Sequence, residues 1–341
     1  MHISVSGIRG KSSTVEWLEW LLRERGCRTI AKVTGDYPFW IVNGEKISIQ
    51  RRGNVVLLDE VLGFKKLCDG YDVGIFENNA IRRYTMQVFN RMVKPDVAIM
   101  TNVRLDHTDS LGLTRPQIAQ SLGYGVGPYP KLVLSGETDG ALNEAMAGQL
   151  EDYQQFLVAN AATEKEVIPM ANLVSLVDFA LQNIEMQGLT PEEKSALEAK
   201  IRKSLAIKQS TKGLDYFDGA KINDVDSTRQ VFHYLRNQYP DKKFHVVAVF
   251  RRKRIERTLA FLPWFKELVN DEAVQSMHFL GYGAQEASRR VNKIAQVKKV
   301  PTREESIPKI CERAQNESAV VFTVCNAVND FIRFFRAYVV N

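Results

Sequence analysis

Residues 4 to 18 read SVSGIRGKSSTVEWL. The end of this stretch, Gly10-Lys11-Ser12, fits the last part of a phosphate-binding loop, G-x-x-x-x-G-K-[ST]. Its start does not fit: the first-glycine position of that pattern holds Val5, and the early glycine is Gly7. The flanks decide the reading. His2 to Ser6 alternates apolar and polar residues, as a short strand does, with Ile3 and Val5 on one side. Beyond Lys11, Leu18, Leu21 and Leu22 share one helical face, and Gly26 suits the position just past a helix end. Strand, glycine turn and helix follow in the order a phosphate cradle needs. Free N–H groups at a helix start point at the anion, and the helix dipole favours negative charge there. In this reading Lys11 reaches the terminal phosphates and the Ser12 hydroxyl binds Mg²⁺.

Working outward, the chain has 341 residues, enough for two domains. Its 45% hydrophobic and 25% charged residues are those of a globular protein. No apolar run is long enough for a membrane helix, and the first residues read as strand, not as a signal peptide. Cys27, Cys68, Cys311 and Cys325 are scattered without a C-x-x-C, which points to a reducing cytosol and against zinc or a disulfide frame. The net charge of +6 suits anionic ligands such as nucleotides or acidic substrates without indicating nucleic acid.

Short apolar runs at 29–33, 55–59, 71–76, 96–101 and 131–134 alternate with amphipathic stretches. This predicts an α/β fold: a mostly parallel sheet with helices on both faces. From about 139 to 208 the pattern is helical, with a helix start at Pro191, and strands return at 244–250, 276–280 and 319–324. A boundary at Lys212-Gly213 would divide a nucleotide domain, 1–212, from a smaller Rossmann-like α/β domain, 213–341.

Two further stretches carry candidate chemistry. In VGIFENNA, Glu77 ends an apolar strand, the edge where ligands bind in such sheets, so it is a candidate metal ligand. In VAIMTNVRLDHTDSLG, residues 97–112, a strand runs into Asn102, Asp106, His107 and Asp109. An imidazole beside carboxylates is held in one tautomer and can serve a metal or a proton. Late in the chain, FRRKRIER at 250–257 sets five basic residues against one acid. It is either a solvated face or an anion holder, with arginine suited to bidentate contact.

Together these pieces resemble a known family. TNVRLDHTDSLG resembles the T-N-V-x-x-D-H-x-D segment of the Mur ligase superfamily, whose loop reads G-T-x-G-K-[ST] with the spacing of Gly7 and Gly10. SVSGIRGKSST, AKVTGD, the RRG at 51–53, HFLGYGA and AVVFTVCNAVNDFIRFF resemble its poly-γ-glutamate (capsule) synthetase branch, CapB/PgsB. The resemblance implies an ATP-dependent amide-forming ligase with ATP and Mg²⁺ as cofactors. It implies nucleotide contacts from Gly7, Ile8, Arg9, Gly10, Lys11, Ser12 and Ser13, with Asn172 on adenine and Asp224, beside Asp226, near the nucleotide. It makes Lys11 and His107 catalytic, Ser12, Glu77 and His107 metal ligands, and Arg104, Arg251 and Arg254 substrate contacts. Implied partners are an acidic or glutamyl substrate and an amine donor. A membrane-protein partner and the oligomeric state stay open. The expected location is cytoplasmic, with attachment at the inner membrane face as an option. The branch's hydrophobic start and the peptidoglycan ligases' N-terminal domain are not seen, and Cys325 replaces the glycine of the late G-N-x-V segment. A ligase for a small specialised metabolite and a non-synthetic ATP-driven switch are the competing readings.

Overall fold

The computed structural model describes residues 1–34, 38–50, 60–61, 63, 67, 70–161, 168–252, 255–291, 303–326 and 328–340. The run expected as a strand at 55–59, the RRG at 51–53, the end of AKVTGD and Arg254 lie outside the described residues. The chain divides into two compact units, Met1–Lys200 and Ile201–Asn341. Lys212-Gly213, the expected boundary, is the turn between two short strands of the second unit.

In the first unit the strands are β1 (His2–Ser6), β2 (Thr29–Val33), β3 (Phe39–Val42), β4 (Glu45–Ser48), β5 (Val73–Glu77), β6 (Val97–Met100), β7 (Leu132–Ser135) and β8 (Gln155–Val158). They form one sheet in the order β4-β3-β2-β5-β1-β6-β7-β8. From β2 to β8 in that order every pairing is parallel, while β3 and β4 add an antiparallel edge. β1 is central, so its glycine turn opens in the middle of the sheet. Val5 pairs with Glu77, Ser6 with Met100 and Met100 with Ser135, so four strands end on one edge.

The helices of this unit are α1 (Lys11–Glu24), α2 (Arg83–Val93), α3 (Arg115–Val126), α4 (Gly140–Ala147), α5 (Ala171–Asn183) and α6 (Pro191–Ser204), the last crossing into the second unit. α1 lies over β2 and β5 and buries Val15, Leu18, Leu21 and Leu22 completely. Each such side chain contributes about 1.5–3 kcal/mol. Gly26 follows with φ 86°, a left-handed conformation that suits a residue without Cβ. α2 and α3 share a core with Ala98, Met100 and Val133 of the sheet.

The fold class matches the expectation. Two details correct it. The stretch 139–208, expected as wholly helical, contains β8. The hairpin of β3 and β4 was not expected, although Asn43-Gly44, with φ 46° and 88°, is the turn that joins tight hairpins.

The second unit carries β9 (Lys208–Gln209), β10 (Asp215–Asp218), β11 (Phe244–Phe250), β12 (Val274–Gly281) and β13 (Val320–Cys325), in the order β12-β11-β13-β10-β9. β11, FHVVAVF, is buried along its whole length, as an inner parallel strand is. Its helices are α7 (Val225–Gln238), α8 (Ile255–Leu268), α9 (Ala284–Val291), α10 (Arg303–Asn316) and α11 (Asp330–Val340). One core joins Val247 and Val249 of β11 to Ile310 and Ala314 of α10 and Phe335 of α11. Among the described residues no helix is long and apolar enough to cross a membrane.

Candidate active site

The site of the first unit grows from the sheet edge where β1, β5, β6 and β7 end. Gly7 has φ 115°, and a Cβ there would strike the Thr101 side chain and approach Thr101 N to 2.8 Å. Gly10, at φ 85°, caps α1, and a Cβ there would run into the Leu173 side chain. Both glycines are therefore required by conformation and by space. The second contact also brings the start of α5, and with it half-buried Asn172, against the loop.

A side-chain amide fixes the loop from β6. Arg9 N donates to Asn102 Oδ1 at 3.1 Å, and Asn102 Nδ2 donates to Arg9 O at 2.9 Å. Ile8 N donates to Asn102 O at 3.1 Å. Lys11 folds back so that its Nζ donates to Gly7 O at 2.8 Å and Ile8 O at 3.2 Å. Burial pushes the Lys11 pKa down; Glu77 works against that, Arg9 adds to it, and Asp106 opposes it.

Ser12 Oγ donates to Glu77 Oε2 at 3.0 Å, and Thr34 N donates to the same oxygen at 2.8 Å. Glu77 is buried at the end of β5. The neighbouring loop contributes a buried carboxylate: Arg9 Nη2 meets Asp106 Oδ2 at 2.8 Å, and His107 N donates to Asp106 Oδ1 at 2.8 Å. His107 Nε2 lies 3.6 Å from Asp106 Oδ2. His107 is left-handed, at φ 52°, and its carbonyl accepts from Ser110 N and Leu111 N, each at 2.9 Å. His107 and Lys11 line one small cavity with Gly7, Ile8 and Asn79. Arg104 is half-buried, and its Nε, shielded from solvent, has no hydrogen bond among the described residues.

Thus the structure gathers Gly7 to Ser13, Glu77, Arg104, His107 and, through Leu173, Asn172. Asp224 and Arg251 belong to the second unit. Asp224 is the N-cap of α7, its Oδ1 accepting from Ser227 N at 2.9 Å. Sequence reasoning missed Glu137, buried past the end of β7. Its Oε2 accepts from Val103 N at 2.7 Å and its Oε1 from Thr138 N at 2.9 Å, which anchors the loop bearing Arg104 and His107. The signal was weaker than for Glu77: Ser135 and Gly136 separate Glu137 from the apolar run 132–134. Among the described residues no three His, Cys, Asp or Glu side chains form a metal cage. A cation at this edge would rest on Ser12 and Glu77 together with ligand oxygens.

A glycine loop on the central strand, a carboxylate bound to its serine and a histidine-bearing loop beside it define a nucleotide-dependent α/β class. The Mur ligase middle domain matches residues 5–121 and the poly-gamma-glutamate synthase CapB C-terminal domain matches residues 205–338. The first part of the chain thus matches a Mur ligase middle domain and the second a CapB C-terminal domain. It is 21% identical over 287 residues to a capsule biosynthesis protein CapB of Bacillus anthracis, covering 78% of this chain and 61% of that protein. To a PGA synthase CapB of Bacillus subtilis (strain 168) it is 22% identical over 292 residues, covering 76% of this chain and 70% of that protein. The chain therefore spans less than two thirds of the first relative's length. A bifunctional folylpolyglutamate synthase/dihydrofolate synthase from Yersinia pestis c092, solved with AMPPNP and a Mn ion, shares the fold. Its TM-score is 0.66 at 19% identity, over 99% of this chain and 88% of that one.

Proposed function

We propose that the chain is an ATP-dependent carboxylate–amine ligase that forms a γ-glutamyl-type amide through an acyl phosphate. The observation that carries this is the 3.0 Å bond between Ser12 of the glycine loop and Glu77 at the end of the neighbouring strand. A phosphate cradle and an oxygen-donor pair for a hard cation meet in that bond. The family matches and the nucleotide and metal held by the folate-enzyme neighbour support the same reading.

A carboxylate does not condense with an amine in water, because its oxygen is a poor leaving group. In the proposed route an oxygen of the acid attacks the γ-phosphorus and the bond to the β-phosphate breaks, releasing ADP. The amine then attacks the acyl carbon, gives up a proton, and phosphate leaves with that oxygen. Phosphoryl transfer needs alignment and charge neutralisation more than covalent help. The amides of Gly7 to Ser13 hold the phosphate chain, and Lys11 moves from its loop carbonyls to the terminal phosphates. Ser12 and Glu77 would hold Mg²⁺, with His107 at a second ion. Bound there, the metal neutralises phosphate charge. Asn172 contacts the base, and Asp224 contributes beside its cap. Arg104 and Arg251 are the substrate contacts in this reading.

Cytoplasmic location belongs to the same proposal. The test is phosphate release by the full chain with ATP, Mg²⁺, glutamyl acids and amino acids, with products weighed by mass spectrometry. Release that requires both acid and amine, with an amide product, supports the ligase. Phosphate without amide supports the switch reading instead.

A further inference from the structure

The parallel strands of the second unit also end on one edge: Phe250 pairs with Gly281, and Val249 with Cys325. The turn leaving β11 is held there from two sides. On one side stands Asn326, wholly buried. Its Oδ1 accepts from Arg251 N at 2.8 Å, and its Nδ2 donates to Arg251 O at 3.0 Å and to Thr258 Oγ1 at 2.9 Å. Its own carbonyl accepts from Arg257 Nη1 at 2.9 Å. The amide thus supplies one more rung after the ladder of β11 and β13 has ended, as Asn102 does for Arg9 in the first unit.

On the other side is Tyr282. Gly281 turns left-handed at φ 85°, and Tyr282 N donates to Phe250 O at 3.1 Å. Tyr282 is 54% exposed, and the Arg252 guanidinium lies over its ring, 5.4 Å from the ring centre. Arg251 and Arg252 are both exposed, and neither has an acidic partner among the described residues. A merely solvated basic face needs neither a buried clamp on its backbone nor a ring beneath its guanidinium. A cation–π contact on one side of a guanidinium is compatible with its N–H edges taking a planar, bidentate anion. The C-terminal edge of a parallel sheet is where such ligands bind.

We propose that Arg252, held over the Tyr282 ring, binds a carboxylate of the acidic substrate, and that Tyr282 and Asn326 are positioning residues for this basic turn. The inference rests on the ligase reading and, within the basic cluster of Arg251, Arg252 and Arg254 that the sequence offered, assigns the contact to Arg252 and its positioning to Tyr282 and Asn326.

The test uses the full chain, with γ-L-glutamyl-L-glutamate as the acid, read by calorimetry and by acid-dependent phosphate release. Arg252→Ala should weaken dipeptide binding and raise its KM about tenfold, as loss of a charge-assisted bidentate contact does, while the KM for ATP stays put. Tyr282→Ala should give part of that loss, and Tyr282→Phe should restore it, because the cation–π contact needs the ring and not the hydroxyl. Asn326→Ala should raise the acid KM more than it lowers kcat. An acid KM within twofold of wild type in Arg252→Ala, in a protein that still ligates, overturns this inference alone. A wild type without acid-dependent turnover overturns the ligase reading and this inference with it.

Discussion

Ser12 and Glu77, 65 residues apart in sequence, meet through a 3.0 Å hydrogen bond at the mouth of the glycine loop. The bond ties the first turn of α1 to the end of β5. Glu77→Gln keeps the shape and an acceptor for Thr34 N but removes the charge a cation requires. Turnover should fall by about a hundredfold or more, as loss of transition-state charge compensation does, with nucleotide binding weakened far less. Phosphate release across a Mg²⁺ titration, beside a nucleotide-binding isotherm, measures both. Wild-type rates at every Mg²⁺ concentration would remove Glu77 from the metal site.

Lys11 is an ammonium held where burial lowers its pKa. Its folded pKa lies below the unfolded value, so the unfolded chain binds more protons between the two. Stability therefore rises with pH across that interval, up to the ordinary value of 10.5. Lys11→Met should abolish turnover, with no loss of melting temperature at neutral pH and a flatter alkaline limb. A melting temperature that drops by several degrees would show that the lysine supports the fold instead.

Gly7 faces the Thr101 backbone at φ 115°. Gly7→Ala should cost about 2 kcal/mol or more from the left-handed backbone and the clash, and should remove nucleotide binding. Thermal denaturation with and without nucleotide tests it. An unchanged melting temperature with nucleotide still protecting would contradict the loop geometry.

The N-terminal edge of the second sheet holds a hydrogen-bonded row. His245 Nδ1 lies 2.6 Å from Ser276 Oγ, Ser276 Oγ lies 2.7 Å from His278 Nε2, and His245 Nε2 lies 2.9 Å from Glu317. Burial pushes His278 down to about 4, helped by His245 and Arg313 and opposed by Glu317. Burial also lowers His245, against the pull of Glu317. Both folded values lie below the unfolded 6.5, so the stability these neutral imidazoles provide is present above 6.5 and lost as pH falls toward 4. The loss from His278 is on the order of 3 kcal/mol. His278→Gln should flatten the stability profile between pH 6.5 and 4. A wild-type profile already flat there would show the imidazoles titrating normally.

The glycine loop was legible because its signal is local: two glycines, a lysine and a serine between a strand pattern and a helix pattern. A carboxylate that is itself the last residue of an apolar strand revealed Glu77, while Glu137 escaped because Ser135 and Gly136 set it apart from its strand. The bond of Arg9 to Asp106 joins residues 97 apart, and only the pairing of β1 with β6 brings them together. β8 escaped because QFLV at the sheet margin is half-exposed and shows no clean alternation. Asp224 was singled out only through the resemblance; its carboxylate caps a helix, and the sequence alone does not tell a capping aspartate from a ligand-binding one.

The acyl-phosphate route has a signature that no mutation can imitate. With ¹⁸O in the carboxylate of the acidic substrate, one labelled oxygen should leave in inorganic phosphate for each amide formed, with ADP as the other product. Label in AMP, with pyrophosphate released, would contradict the route and the ligase assignment built on the loop of Lys11 and Ser12.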